Sequence, residues 1–279
     1  MGAIQAALGD AVLTFMWVFV SSMFGLFTNL VVTALGLQTL VWAPLVITTF
    51  IVFTFVFLFN LIGEALGGAS FNPTGTASFY AAGVGGDTLF SMALKFPAQA
   101  AGAVGGALAI MEVMPVQYKH MLGGPTLQVD LHTGGLAEGV LTFLMSFAVL
   151  VIILRGPRNP LLQTLFLAIA TITLVVSGST YTGPSMNPAN RRVGGICAAI
   201  VVSSSFFASV VSSHRTLTLS CHIVCNMETA FGWAYVNKWH NTWEQLYVYW
   251  ICPFIGAILA SWIFRVVFPP PAAPKQKKA

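Results

Sequence analysis

Two short stretches, FNPT at Phe71 to Thr74 and MNPA at Met186 to Ala189, set an asparagine directly before a proline inside an otherwise apolar chain. Asparagine is among the best helix N-caps and proline is pre-set for the first helical position, so each pair starts a helix. The asparagine amide then stands at the helix mouth, where it can donate to a passing oxygen. The helix dipole adds about half a positive elementary charge at the same point. Such a site holds a neutral, oxygen-bearing solute and repels a cation. A single Asn-Pro pair is most simply a loop cap; two at matching places in a repeat ask for more. The other polar candidates are Asp10 and Glu138, which lie inside apolar stretches where ionisable groups are usually functional or paired. The cluster Cys221, His222 and Cys225 lacks the second half of a zinc site, so neither a metal nor a cofactor is expected.

The elements that position these groups must lie in a membrane. Of the 279 residues, 57% are hydrophobic and 7% charged, far from the roughly 25% charged share of soluble domains. A net charge of +4 comes from scattered basic residues and the terminal KQKK, which argues against a nucleic-acid partner. A helix needs about 20 apolar residues to cross a bilayer. Six stretches qualify, near residues 8–34, 41–63, 89–113, 136–154, 161–180 and 243–268. The first has no basic leader or cleavage site and reads as a retained helix. The pieces that begin at Asn72 and Asn187 are too short to span. Cys197, Cys221 and Cys225 sit in one segment and Cys252 stands alone, which gives little support to a disulfide framework.

Internal repetition organises the six. LGDAVLTFMWVFV from Leu8 aligns with LAEGVLTFLMSFA from Leu136, setting Asp10 opposite Glu138, and the two Asn-Pro stretches match in the same way. A third echo sets Gln99-Ala-Ala-Gly-Ala103 against Pro253-Phe-Ile-Gly-Ala257. An odd number of spans per copy makes this an inverted repeat. Irregular backbone inside a membrane is tolerated only where protein buries it or it lines a polar cavity, so two re-entrant half-helices must enter from opposite faces and meet near the midplane. The expected fold is an all-α integral membrane protein of six transmembrane helices and two re-entrant half-helices. One domain covers residues 1–274, with repeats at 1–115 and 133–274, and a basic tail follows at 275–279. With the N-terminus inside, Lys95, Arg155, Arg158, Arg265 and the tail Lys275, Lys277 and Lys278 fall on the cytosolic side, and Lys119 and Lys238 outside. Gly102 to Gly106 and Gly256 to Ala260 let the third and sixth helices pack closely. The Phe-rich stretch at 50–59 is read as lipid-facing surface.

These residues resemble the aquaporins, or major intrinsic proteins. GGASFNPT and TGPSMNPAN look like that family's paired Asn-Pro-Ala boxes, and VLTF and PAQAAGA recur at the expected helices. Thr74, Asn190 and the lysine-rich tail are most similar to the plant small basic intrinsic proteins. The resemblance implies a passive channel for water or a small neutral solute, not an enzyme, with the pore at Asn72, Pro73, Thr74, Asn187, Pro188 and Ala189. It implies a second constriction at Ile51 or Val52, Val175, Pro184 and Asn190, which lacks the usual aromatic, histidine and arginine and is therefore wider and more apolar. It implies that Asp10 and Glu138 accept hydrogen bonds from re-entrant-loop backbone, a role favoured over proton relay because buried backbone needs partners. Thr74 replaces the usual alanine, and its branched hydroxyl is expected to alter the packing of the boxes. A homotetramer in the lipid bilayer is implied too. Lys275 and Lys277 resemble a dilysine retrieval signal, which points to the endoplasmic reticulum with both termini cytosolic. A secondary transporter is the alternative that also uses inverted repeats and broken helices, but it would need ion-coupling groups where the boxes offer amides and hydroxyls.

Residues 191–229 depart from that pattern. Deleting them restores MNPANAFGWAYVNKW without a gap, so they form an insertion directly after Asn190. The segment is serine-rich, carries three of the four cysteines, and adds Arg191, Arg192 and Arg215 on the wrong side for the charge rule. A gate or a seventh span are alternatives; a retained intron or errant gene model is the reading preferred for the seamless junction. In a chain that keeps the segment, the half-helix is expected to run from Pro188 through Ile196, and the pore is in question.

Overall fold

The computed structural model describes residues 2–178, 181–182 and 227–269. Six of its helices are long and apolar enough to cross a membrane: Ala3–Ala34, Ala43–Ala65, Leu89–Val113, Leu131–Arg155, Pro160–Gly178 and Trp243–Val267. They are called the first to sixth spans. Each of the six apolar stretches becomes one of them, because uninterrupted apolar side chains leave the backbone no partner in lipid other than itself.

Local chemistry sets the ends and breaks. The first span divides into Ala3–Ser21 and Phe24–Ala34. At the joint the Ser22 hydroxyl donates to the Val18 carbonyl at 2.7 Å, a competition with the backbone ladder that commonly bends helices. Thr88 and Ser91 cap the third span reciprocally. In the sixth span a π-helical turn at Tyr247–Ile251 precedes Pro253. Proline has no N–H and crowds the carbonyl four residues back, and the wider turn relieves that contact.

Asp130 caps the fourth span by accepting from the Thr133 N–H at 2.9 Å. This bond, made to the charged form, holds the Asp130 carboxyl below its ordinary value of 3.8. A depressed carboxylate contributes stability that is whole above the unfolded value and is lost as pH falls through the folded one. The Thr133 amide proton shift is therefore expected to titrate below pH 3.8 in the native chain and to stay flat in Asp130→Asn.

The spans pair by repeat and the repeats interlock. The first span packs along the third, the fourth along the sixth, and the second meets the fifth. The short helix Pro73–Ala81, the first half-helix, packs on the sixth span, and Met227–Val236 packs on the third. The first half-helix and the helix Met227–Val236 thus each lie against the closing span of the opposite repeat. Small residues make the close pairs. A Cβ on Gly102 or Gly106 would run into the backbone of the first span at Ala11 or Phe15, and one on Gly256 into Gly139 of the fourth. The small residues of the third and sixth helices do not bring those two together; each packs closely against the opening span of its own repeat.

The Phe-rich stretch is only half lipid-facing. Phe50 and Leu58 are 66% and 45% exposed, whereas Val52, Val56 and Phe59 on the opposite face are at most 4% exposed. Phe59 packs edge-on against Trp17 and Phe71, so this face belongs to the core. A helix that is apolar all round gives no sign of which face turns inward.

Candidate functional site

The first Asn-Pro stretch lies inside the bundle. Asn72 is extended (φ −146°, ψ 116°) and caps Pro73–Ala81, with Pro73 in the first turn. Its Oδ1 accepts from the Thr74 N–H at 3.1 Å and from the Thr74 hydroxyl at 2.7 Å. Asn72 and Thr74 are buried. None of the described residues accepts from the Asn72 Nδ2.

Three neighbours hold the loop that leads to it. The Ser70 N–H donates to Asp10 Oδ1 at 2.9 Å. Gln99 Nε2 donates to Asp10 Oδ2 at 2.8 Å and to the Ser70 carbonyl at 3.1 Å. One carboxyl and one amide thereby satisfy both polar groups of a buried loop backbone, which would otherwise cost about 1–3 kcal/mol each. Phe71 stacks on Trp17 with ring centroids 4.6 Å apart. These contacts fix the chain on both sides of Ser70 and aim the next residue, Asn72.

The far end of the half-helix is tied to the opposite repeat. Ser78 and Ser261 hydroxyls lie 3.0 Å apart, and Ser261 Oγ also donates to the Ser78 carbonyl at 2.8 Å. Arg265 Nη1 reaches the Ala81 carbonyl at 3.4 Å, a cation at the negative end of the helix dipole. The orientation of the half-helix is fixed by its cap, its loop and its tail together.

The second repeat presents a related support. Thr182 donates through its hydroxyl to Glu138 Oε1, and Gln128 N–H donates to the Tyr181 carbonyl at 2.9 Å. Asn187, Pro188, Ala189, Pro184 and Asn190 lie outside the described residues, as do residues 191–226 and the tail lysines. Description resumes with the helix Met227–Val236, which carries the AFGWAYV continuation from Ala230. Its first three residues come from the inserted segment, and among them Glu228 is fully buried. A Cβ on Gly232 would lie 2.6 Å from the Ala103 carbonyl, so this helix sits tightly on the third span.

Of the constriction residues, Val52 is buried in the central apolar cluster together with Ile172 and Val176, and Ile51 packs against that cluster. Val175, one residue before Val176, is half-buried. The described members of the set are thus all aliphatic. Among the described residues no three His, Cys, Asp or Glu side chains come together as a metal set.

The roles of several participants were not anticipated from sequence. Gln99 falls opposite Pro253 in the repeat, so symmetry hides its role; a glutamine inside an apolar span was the available signal, and the structure buries it wholly. Trp17, the Ser78–Ser261 pair and Arg265 act across repeats or through ring stacking, where spacing carries no signal. Lys95, counted as an inside charge, is buried and paired with Asp87 at 2.7 Å.

Six spans that interlock two half-repeats around a buried, capped half-helix define a polytopic membrane channel. The family profile described as Major intrinsic protein matches residues 1–264. Aquaporin SIP1-2 of Zea mays is 54% identical over 278 residues, covering 99% of this chain and 98% of the relative. Aquaporin SIP1-1 of Arabidopsis thaliana is 49% identical over 278 residues, covering 100% and 98%. Among solved structures, the aquaglyceroporin from Plasmodium falciparum shares the fold, with a TM-score of 0.56 at 16% identity over 96% of this chain and 98% of that one. The chain belongs to the major intrinsic protein family. It is a passive membrane channel for water or small solutes and not an enzyme.

Proposed function

We propose that water or a neutral solute of similar size crosses this channel in single file, past the amides of Asn72 and Asn187. The observation that carries the reading is the Asn72 amide: its oxygen is engaged by Thr74, which leaves the Nδ2 hydrogens for a solute oxygen. The two half-helix dipoles point their positive ends at the same region and oppose a cation or a hopping proton. Pro73 and Pro188 start the two helices, and Thr74 and Ala189 complete the boxes. Ile51 or Val52, with Val175, Pro184 and Asn190, form an outer constriction wider, less basic and more apolar than that of an orthodox water channel, so charge exclusion falls mainly to the dipoles. Asp10 and Glu138 support the loops.

The chain works as a homotetramer in the reticulum membrane, with both termini cytosolic and Lys275 and Lys277 read by the retrieval machinery. The lipid-facing surface and the basic tail offer nothing for nucleic acid. Residues 191–229 are a retained intron sequence, and the channel without them is the competent form.

The test is stopped-flow osmotic shrinkage and solute uptake in proteoliposomes that carry the full chain or its 191–229 deletion. The deletion is expected to shrink well above the protein-free rate and the full chain more slowly. Rates equal to protein-free vesicles for both would remove the conduction reading. Transcript reads across the codons of Asn190 and Ala230 decide the intron proposal, which fails when every mature transcript keeps the segment.

A further inference from the structure

We propose that the pocket where the helix Met227–Val236 meets the start of the sixth span is a binding site for one structural water, shared by Trp233 and Gln245. Its walls come from three places in the chain. Thr126 belongs to the loop between the third and fourth spans, Trp233 and Asn237 to the end of the helix, and Glu244, Gln245 and Tyr249 to the sixth span. The walls are held in place by their own bonds. The Thr242 hydroxyl accepts from the Gln245 N–H at 3.2 Å and donates to the Trp239 carbonyl at 2.8 Å. The Trp239 N–H in turn donates to the Ala234 carbonyl at 2.7 Å, which leaves the turn from helix to span little freedom. On the loop side a Cβ on Gly124 would run into the Trp233 side chain, so only glycine lets the loop lie this close.

Two buried donors point to the ligand. Trp233 is 3% and Gln245 6% exposed, and none of the described residues accepts from the Trp233 Nε1 or the Gln245 Nε2. A buried donor left without a partner costs more than an ordinary hydrogen bond gains, and folded proteins nearly always satisfy such groups from protein or ordered water. Both side chains line a cavity of about 20 Å³, and a single water needs about 10–15 Å³. The charges around it select a neutral ligand. Two N–H donors oppose a cation. An anion is opposed by the Glu244 carboxyl and by the negative end of the dipole of Met227–Val236, the end at which Trp233 and Asn237 stand. Water accepts from both donors, and the walls carry the oxygens of Thr126, Asn237 and Glu244 to take its own protons.

The water completes the anchoring of the short helices. Ser261, toward the end of the sixth span, ties the first half-helix directly through Ser78. Gln245, at the start of the same span, ties Met227–Val236 through the water and Trp233. One span thereby holds both short helices, by a direct bond at one end and a water bridge at the other.

The test uses the full chain labelled with 15N at its seven tryptophan indoles, with Trp233→Phe assigning the resonance. The Trp233 indole N–H is expected to show a rotating-frame cross peak to water of opposite sign to the diagonal, the mark of a nearby bound water and not of exchange with solvent. Absence of that peak overturns the proposal. Melting temperature in detergent is the second readout. Trp233→Phe and Gln245→Met each remove one donor and little volume, and each is expected to melt about 2–4 °C lower, the shift that one net hydrogen bond is worth in a chain of this size. The double variant is expected to lose less than the sum, because the two residues share one water. Higher melting in both single variants means that the donors stand alone, and strictly additive losses mean that they share nothing; either result overturns the bridge. A Trp233 resonance that shifts with chloride at constant ionic strength puts an anion in the pocket and overturns the water. Should Trp233→Phe fail to fold, the indole signal that Gln245→Met moves most gives the assignment, and the cross peak carries the test.

Discussion

Replacing Gly102 by valine is expected to leave no folded channel. A Cβ there would meet the Ala11 carbonyl of the first span at a separation real side chains do not show, and the obstacle is backbone, which cannot rotate away. Overpacking that side chains can absorb costs about 1–3 kcal/mol. Here two spans must separate, so the cost is expected above that range, against a typical total stability of about 5–15 kcal/mol. The separation also pulls Gln99, three residues before Gly102, away from Asp10 and Ser70. Gly256→Val should do the same to the fourth and sixth spans, where the obstacle is Gly139. The measurement is the yield of monodisperse protein on size exclusion after detergent extraction, expected to fall at least about tenfold, as a loss of more than about 2 kcal/mol changes abundance severalfold. Gly86→Ala is the control, because a Cβ at Gly86 meets nothing within 4 Å. A native yield from Gly102→Val would contradict the packing described.

Asp10→Leu is expected to abolish conduction and lower stability by about 3 kcal/mol or more, because it strands the Ser70 N–H and one bond of Gln99 in a buried site. Leucine fills similar space, so the loss reports hydrogen bonding and not a cavity. Asp10→Asn should fall between the two. It keeps one oxygen for Ser70 but sets an NH2 group against the Gln99 NH2, and turning Gln99 over would bring its oxygen against the Ser70 carbonyl. Thermal unfolding in detergent and vesicle shrinkage measure the two consequences. A conducting Asp10→Leu channel would mean that the loop holds its shape without the carboxyl.

The parts that were legible in the sequence share one property: each is written in local pattern. The six spans follow from continuous apolar runs, and the start of the first half-helix at Pro73 follows from the cap chemistry of Asn-Pro. The carboxyls were found because the repeat sets Asp10 opposite Glu138, and in the structure Ser70 and Thr182 are their partners. Repetition also misled. It set Gln99 against Pro253, which has no donor, and so concealed the residue that ties the carboxyl to the loop.

Direction was not legible. Nothing in the sequence says which way the Thr74 hydroxyl turns; it donates back to the Asn72 oxygen, while the second box, on which its expected effect on packing depends, lies outside the described residues. The stretch at 50–59 was read as lipid surface, yet Phe59 turns inward to Trp17 and Phe71. In an aqueous protein amphipathic periodicity marks the buried face, but lipid is as apolar as a core and erases that mark.

By itself, then, the sequence determined that this is a six-span inverted repeat whose first Asn-Pro box starts a helix, since hydropathy, capping and repetition are properties of neighbouring residues. Only the tertiary structure decided which spans pair, which face of each turns inward, and that Asp10, Gln99, Phe71 and Thr74 converge on one asparagine. Those contacts join residues up to 89 apart in the chain, from Asp10 to Gln99, and depend on the angle and depth at which whole helices dock. No local pattern encodes that geometry.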